Sequence, residues 1–170
     1  MKNLANKITV FRICLVPLFL IFAYSDLHFA ALSVFVVASL SDFLDGYIAR
    51  NYNQISILGK FMDPLADKVL VIAAMCYFIQ TLRMPGWAVA IVCFREFAVS
   101  GLRLIAAEKG IVIAAGKGGK LKTACTMIGL SLMFLFNVPL LDTAVTVIII
   151  LTTLYSGFDY FKNNSEVFNA

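Results

Sequence analysis

Apolar residues gather in six long blocks separated by short polar breaks: Ile8–Tyr24, Phe29–Ala49, Phe61–Leu82, Trp87–Ala107, Leu121–Asn137 and Leu140–Phe161. Each block is close to the ~20 residues with which a helix crosses the hydrocarbon core of a bilayer. Continuous runs such as VTVIIIL (145–151) lack the in–out alternation that a membrane β-barrel strand requires. The breaks carry turn chemistry at Asn51-Tyr52-Asn53, Met84-Pro85-Gly86, Lys117-Gly118-Gly119 and Asn137-Val138-Pro139. The pattern predicts an all-α membrane protein of six transmembrane helices forming a single domain over residues 1–170, with no room for a separate soluble domain. The first block holds Arg12 and Pro17 and ends without a small-residue cleavage site, so it reads as a retained helix rather than a leader.

Composition strengthens this picture. Hydrophobic residues make up 61% of the chain and charged residues 14%, against about 45–50% and about 25% in soluble domains. Mean hydropathy is +0.90. A water-soluble fold of this size would lack the polar residues to cover its surface. Alternating the sides of successive breaks puts Lys2, Lys7, Arg50, Lys60, Lys109, Lys117, Lys120, Lys122 and Lys162 on one side and only Arg83 on the other. By the positive-inside rule, both termini and the 50–60 and 109–122 loops face the cytoplasm. The net charge of +4 favours anionic head groups and anionic substrates. Its scatter over short loops is not a nucleic-acid signature. Cys14, Cys76, Cys93 and Cys125 each stand alone in apolar runs, which suggests neither zinc nor disulfides. His28 is the one histidine and cannot build a site alone.

Candidate chemistry lies in SDFLDGYIARNYNQISILGKFMDPLADK, with Asp42, Asp45, Asp63 and Asp67 at the cytoplasmic end of membrane helices. One carboxylate in a span costs roughly 2.5–3.5 kcal/mol on insertion scales, so four together call for an offsetting charge, best supplied by a divalent cation. Asp42, Asp45, Gly46, Ala49 and Arg50 share a helical face at i, i+3, i+4, i+7, i+8, and Asp63 and Asp67 are i, i+4 on the next helix. A short loop makes those helices antiparallel neighbours. An all-oxygen donor set suits Mg²⁺ or Mn²⁺. Gly46 permits either close helix packing or room for a flat substrate moiety. Arg50 serves either as a snorkelling anchor or as a grip on a carboxylate or phosphate. Asp63 precedes Pro64 and taken singly could be a helix cap, which leaves the other three aspartates unexplained.

From Asp42 to Asp67 the chain reads D-x2-D-G-x2-A-R-x8-G-x3-D-x3-D. This resembles the signature of the CDP-alcohol phosphatidyltransferase family at every fixed position. Three further stretches, NKITVFR (6–12), REFAVSGLRLIAAEKGIVIAAGKGGKLKT (95–123) and SGFDYF (156–161), resemble the bacterial members of that family whose acceptor is glycerol 3-phosphate. Gly116-Lys117-Gly118 departs from the resemblance, which leads one to expect serine and bulkier residues there. The resemblance implies a six-helix enzyme of the bacterial cytoplasmic (inner) membrane, a homodimer, with two metal ions in a polar cavity open to the cytoplasm. CDP-diacylglycerol is then the donor, and CMP leaves. It implies that Asp42, Asp45, Asp63 and Asp67 hold the metals and that Asp67 is also the general base. It further implies that Asn6, Thr9, Gly46, Arg50, Ser56 and Gly59 line the CDP-diacylglycerol site.

A phosphorylated acceptor needs a second anion site. Arg95 and Arg103 lie about two turns apart in the fourth block, on nearby faces, and arginine within a membrane implies a polar cavity or a structural pair with Glu96 or Glu108. Lys120, with Lys109 and Lys122, either guides the acceptor from the cytoplasm or only sets topology. The aspartate motif does not itself choose among glycerol 3-phosphate, serine, inositol phosphate and phosphatidylglycerol. A divalent-cation transporter is the rival class, but it would spread its acids through the membrane, and here nearly all the acids gather on the cytoplasmic side, with only Asp26 and Asp142 outside it.

Overall fold

The computed structural model describes residues 4–52, 57–109, 113 and 116–165, with the side chains of 4–9, 42–52, 57–67 and 117 outside that description. The described residues form helices and turns, with no strand among them: α1 (Leu4–Tyr24), α2 (His28–Tyr52), α3 (Ile57–Gln80), α4 (Gly86–Glu108), α5 (Lys117–Leu135) and α6 (Pro139–Asn163). At 1.5 Å per residue they are about 28–38 Å long. Among the described residues, α6 is the helix long and apolar enough by composition to cross a membrane, and shorter apolar stretches occupy Val10–Tyr24, His28–Ser41 and Lys68–Gln80.

Local chemistry sets the ends. Asp26 takes a left-handed φ of 57° in the turn between α1 and α2, a conformation that aspartate tolerates better than most residues. Pro85 in extended conformation caps α4, and Pro139 stands in the first turn of α6, where its missing N–H costs nothing. Leu82 follows α3 with φ 57° and lies almost wholly exposed, an unusual side chain for that conformation.

The chain divides into two compact units, Met1–Thr81 with Phe134–Phe136, and Leu82–Met133 with Asn137–Ala170. In the first unit, α1 packs on both α2 and α3. Its centre is aromatic: the Phe134 ring sits 4.6 Å from Phe78, 5.4 Å from Tyr77 and 5.5 Å from Phe19, centroid to centroid. The far end is pinned by Tyr24, whose hydroxyl donates to Gln80 Oε1 at 2.6 Å. In the second unit α4 packs on α6, with Val99, Leu102 and Ala106 buried around Tyr160. Arg83 ties the start of this unit to α6 by a two-pronged pair with Asp142, Nε to Oδ2 at 2.8 Å and Nη2 to Oδ1 at 2.7 Å.

Large apolar side chains also point outward. Phe29, Phe94, Phe97, Leu104, Leu140 and Phe158 are each at least 70% exposed. Isolated exposed leucines are ordinary, but bulky apolar groups this open on helix after helix demand an apolar surrounding or a partner.

Candidate active site

The helical spacing of three buried stripes leads, by counting along the chain, toward the aspartate-bearing turns. On α1 the buried positions Ala23, Phe19, Val16 and Arg12 follow steps of four, three and four residues, the spacing that keeps one face of a helix against its neighbours. On α2 the stripe runs Ala31, Phe35, Ala38, and the next steps of four and three arrive at Asp42 and Asp45. On α3 it runs Tyr77, Ala74, Leu70, and counting on toward the N-terminus arrives at Asp67 and Asp63. Among the described residues the buried face of α2 and α3 is apolar, and on α1 it ends at Arg12.

The depth of these residues follows from contacts further along. Phe19 and Phe35 meet with ring centres 5.9 Å apart. Moving seven residues along each antiparallel helix, from 19 to 12 and from 35 to 42, sets Arg12 level with Asp42. On the other side Tyr24 meets Tyr77, ring centres 5.4 Å apart, and Gln80. Moving twelve residues back along these parallel helices sets Arg12 level with 65–68, the turn that contains Asp67. The side chains of all four aspartates lie outside the described residues, as do those of Asn6, Thr9, Gly46, Arg50 and Gly59, although their helices are described; Ser56 is outside altogether. Among described residues no cluster of three metal-ligating side chains occurs. The fit to a cation therefore rests on donor chemistry and register. Four carboxylates carried on two neighbouring helices match a hard divalent ion and give nothing to a soft one.

The second unit carries its own charged cluster. Glu96 Oε1 accepts from Arg95 Nη1 and from Lys122 Nζ, both at 2.9 Å. Arg95 also donates through Nη2 to Ser156 on α6. All three ionic side chains are less than one-fifth exposed. One carboxylate thus serves two enclosed cations, and the cluster keeps a net positive charge. Among the described residues Arg95 Nε is buried without a hydrogen-bond acceptor. Arg103 lies apart from this group, donating to the Tyr160 hydroxyl at 2.8 Å with its guanidinium 5.4 Å from the ring centre. Lys120 is exposed. The sequence offers the Arg95–Glu96 pair and Lys120 alongside Lys109 and Lys122, and of these lysines the structure brings Lys122 to the cluster. The sequence does not mark Ser156 as a partner, and Tyr160 reads there as structural. Both fall in the SGFDYF stretch, which was the available signal.

Glycines ease the packing at this junction. A Cβ on Gly157 would lie 3.4 Å from Arg95 Cγ, and one on Gly118 would meet Asp159 Oδ2 at 3.3 Å and the Ser156 Cα at 3.4 Å. The Asp159 carboxylate beside the first turn of α5 is well placed for the positive end of that helix. The departure Gly116-Lys117-Gly118 is therefore matched by close packing against α6. A groove of about 500 Å³ opens along α4 and α6, its lining apolar apart from Arg95 and Thr153.

A helical chain that carries four aspartates of this spacing on two successive helices belongs to a defined class. The model of the CDP-alcohol phosphatidyltransferase family matches residues 2–155, and the chain is a member of that family. Among its relatives, the CDP-diacylglycerol–glycerol-3-phosphate 3-phosphatidyltransferase of Bacillus subtilis (strain 168) is 40% identical, covering 98% of this chain and 97% of the relative. The enzyme of the same name from Rickettsia typhi is 34% identical, over 95% and 97%. A probable phosphatidylglycerophosphate synthase of Mycobacterium tuberculosis is 36% identical, over 93% and 79%.

Proposed function

We propose that this chain transfers the phosphatidyl group of CDP-diacylglycerol to sn-glycerol 3-phosphate, giving phosphatidylglycerophosphate and CMP. The observation that carries the reading is the full aspartate signature along α2 and α3, in a chain alignable end to end with relatives named for that reaction. Asp42, Asp45, Asp63 and Asp67 would hold Mg²⁺ or Mn²⁺, whose chemistry is to offset the charge of the donor's diphosphate. Gly46, Gly59, Arg50 and Ser56, with Asn6 and Thr9 from α1, would receive the donor. Asp67 would take the proton of the acceptor hydroxyl as its oxygen forms a bond to the phosphorus bearing the diacylglycerol. The bond from that phosphorus to the CMP oxygen then breaks. A carboxylate with an ordinary pKa of about 3.9 is a weak base for an alcohol, so its value lies in position and in accepting the proton late.

The acceptor brings its own phosphate. The excess positive charge of Arg95 and Lys122 around Glu96, together with Arg103 and Lys120, supports binding of a phosphomonoester in the second unit. Placement in the bacterial cytoplasmic membrane, with six spans and the aspartates inward, is supported by helices of about 28–38 Å, by exposed apolar side chains and by the one-sided lysines and arginines.

The decisive assay supplies purified protein with CDP-diacylglycerol, Mg²⁺ or Mn²⁺, and in turn glycerol 3-phosphate, serine, inositol phosphate or phosphatidylglycerol, and measures CMP. Release with glycerol 3-phosphate that stops in EDTA is expected. Preference for another acceptor would overturn the substrate assignment, and cation flux without CMP release would overturn the enzyme.

A further inference from the structure

The aspartates have a counterpart on α1. Arg12 is 1% exposed, inside the first unit, on the same stripe as Val16, Phe19 and Ala23. A guanidinium is never uncharged in a protein, and burying it away from any carboxylate costs several kcal/mol. The first unit contains five carboxylates, Asp26, Asp42, Asp45, Asp63 and Asp67. Asp26 is exposed in the turn at the opposite end of α1. The helix registers set Arg12 level with Asp42 on one side and with the Asp67 turn on the other. Among the described residues its neighbours on the stripe, Val16, Phe19 and Ala23, are apolar.

We propose that Arg12 is a positioning residue, the fixed counter-charge around which the aspartate-bearing ends of α2 and α3 are held before any cation arrives. Four carboxylates brought to one place repel one another strongly in a poorly screened interior, and without an internal cation the metal-free protein would splay there. One guanidinium offers a planar fork that can engage two carboxylates and fix their angle, which a lysine ammonium cannot do. At 1% exposure Arg12 is not a group for the substrate to touch; it acts through the aspartates. The inference rests on the reading of those aspartates as the metal site, but not on the identity of the acceptor.

The test is a thermodynamic cycle in EDTA, on full-length protein in detergent, between Arg12→Met and each of Asp42→Asn and Asp67→Asn. Arg12→Met should lower the melting temperature by about 10 °C, the scale expected when a buried ion pair loses one member. In at least one aspartate variant the same change should cost less than half as much. Millimolar Mn²⁺ should recover part of the loss in the single variant, because bound cations replace the missing charge. Where Arg12→Met does not fold, Arg12→Lys is carried through the same cycle and judged alike. Additive losses in both aspartate backgrounds, with or without normal CMP release, would overturn the role of Arg12. Coupling in the cycle without transfer to glycerol 3-phosphate would instead strike only the proposed reaction.

Discussion

Replacing Asp142 with asparagine keeps the volume of the side chain and removes one charge from the pair with Arg83. The structure makes the cost large. Both bonds of the pair are short, 2.8 and 2.7 Å, and the side chains are 7% and 17% exposed for Asp142 and Arg83, so solvent screens them little. Removing one member of such a pair leaves the other charge in a medium that solvates it poorly, at a cost of about 3–5 kcal/mol. The Asp142 carboxylate also stands in the first turn of α6 and there offsets the partial positive charge of the helix end, worth about 0.3–1 kcal/mol. With about 2–4 °C per kcal/mol for a chain of this length, Asp142→Asn should melt roughly 6–20 °C lower in detergent. The double change Arg83→Met with Asp142→Leu removes both charges and should recover most of that loss, since a well-packed apolar pair is often as stable as the ionic one. Melting followed by intrinsic fluorescence or by loss of the monodisperse peak measures all four proteins. A single variant within about 2 °C of the parent would refute the reasoning, as would a double variant no better than Asp142→Asn.

The remaining expectations concern separate parts of the fold. Glu96→Gln takes the shared carboxylate from Arg95 and Lys122 and should cost about 3 kcal/mol or more, with much of it restored by adding Lys122→Met; equal melting of the two variants would count against the cluster. Gly129→Val would drive its Cβ to 2.7 Å from Val145 Cγ1, an overpacking worth about 1–3 kcal/mol that Val145→Ala should relieve. Leu82→Gly should raise stability by about 1 kcal/mol, because the leucine is 93% exposed and holds a left-handed φ at some cost; a lower melting point would show that the exposed leucine has a partner. Asp67→Asn should lower turnover by about 10²–10⁴-fold while CDP-diacylglycerol still binds, and near-normal turnover would remove it from the base role.

The six apolar blocks correspond one to one with the six helices described, because long unbroken apolar runs without in–out alternation favour a backbone that satisfies its own hydrogen bonds. The ends were less legible. α1 starts at Leu4 and α5 at Lys117, ahead of the apolar blocks that begin at Ile8 and Leu121. Hydropathy marks the apolar part of a helix and is silent about polar turns that continue it. Gly118-Gly119 looks like a break, yet lies in the first turn of α5, where Asp159 and Ser156 approach closely enough that a side chain at Gly118 would fit only tightly. The rotation of each helix was harder still. Outward and inward faces are both apolar in such a chain, so periodicity does not tell them apart. Lys120 and Lys122 look equivalent in the sequence, and only packing shows that the first is exposed and the second buried against Glu96. The aspartate signature was legible because its spacing is set by chemistry rather than by burial. The partnership of Arg83 with Asp142 was not, since 59 residues separate them.

Phe134 belongs by its contacts with the helices at the start of the chain, although it is made as part of α5. The ring fills the space among Phe19, Phe35, Tyr77 and Phe78. A ribosome that has released α1 to α3 has therefore released a half that still lacks its central wedge, and that half closes only when the fifth helix arrives. Severing the chain after Thr81 would give a fragment with a hole at its heart, so the two units are not modules that could be traded between proteins by a single cut.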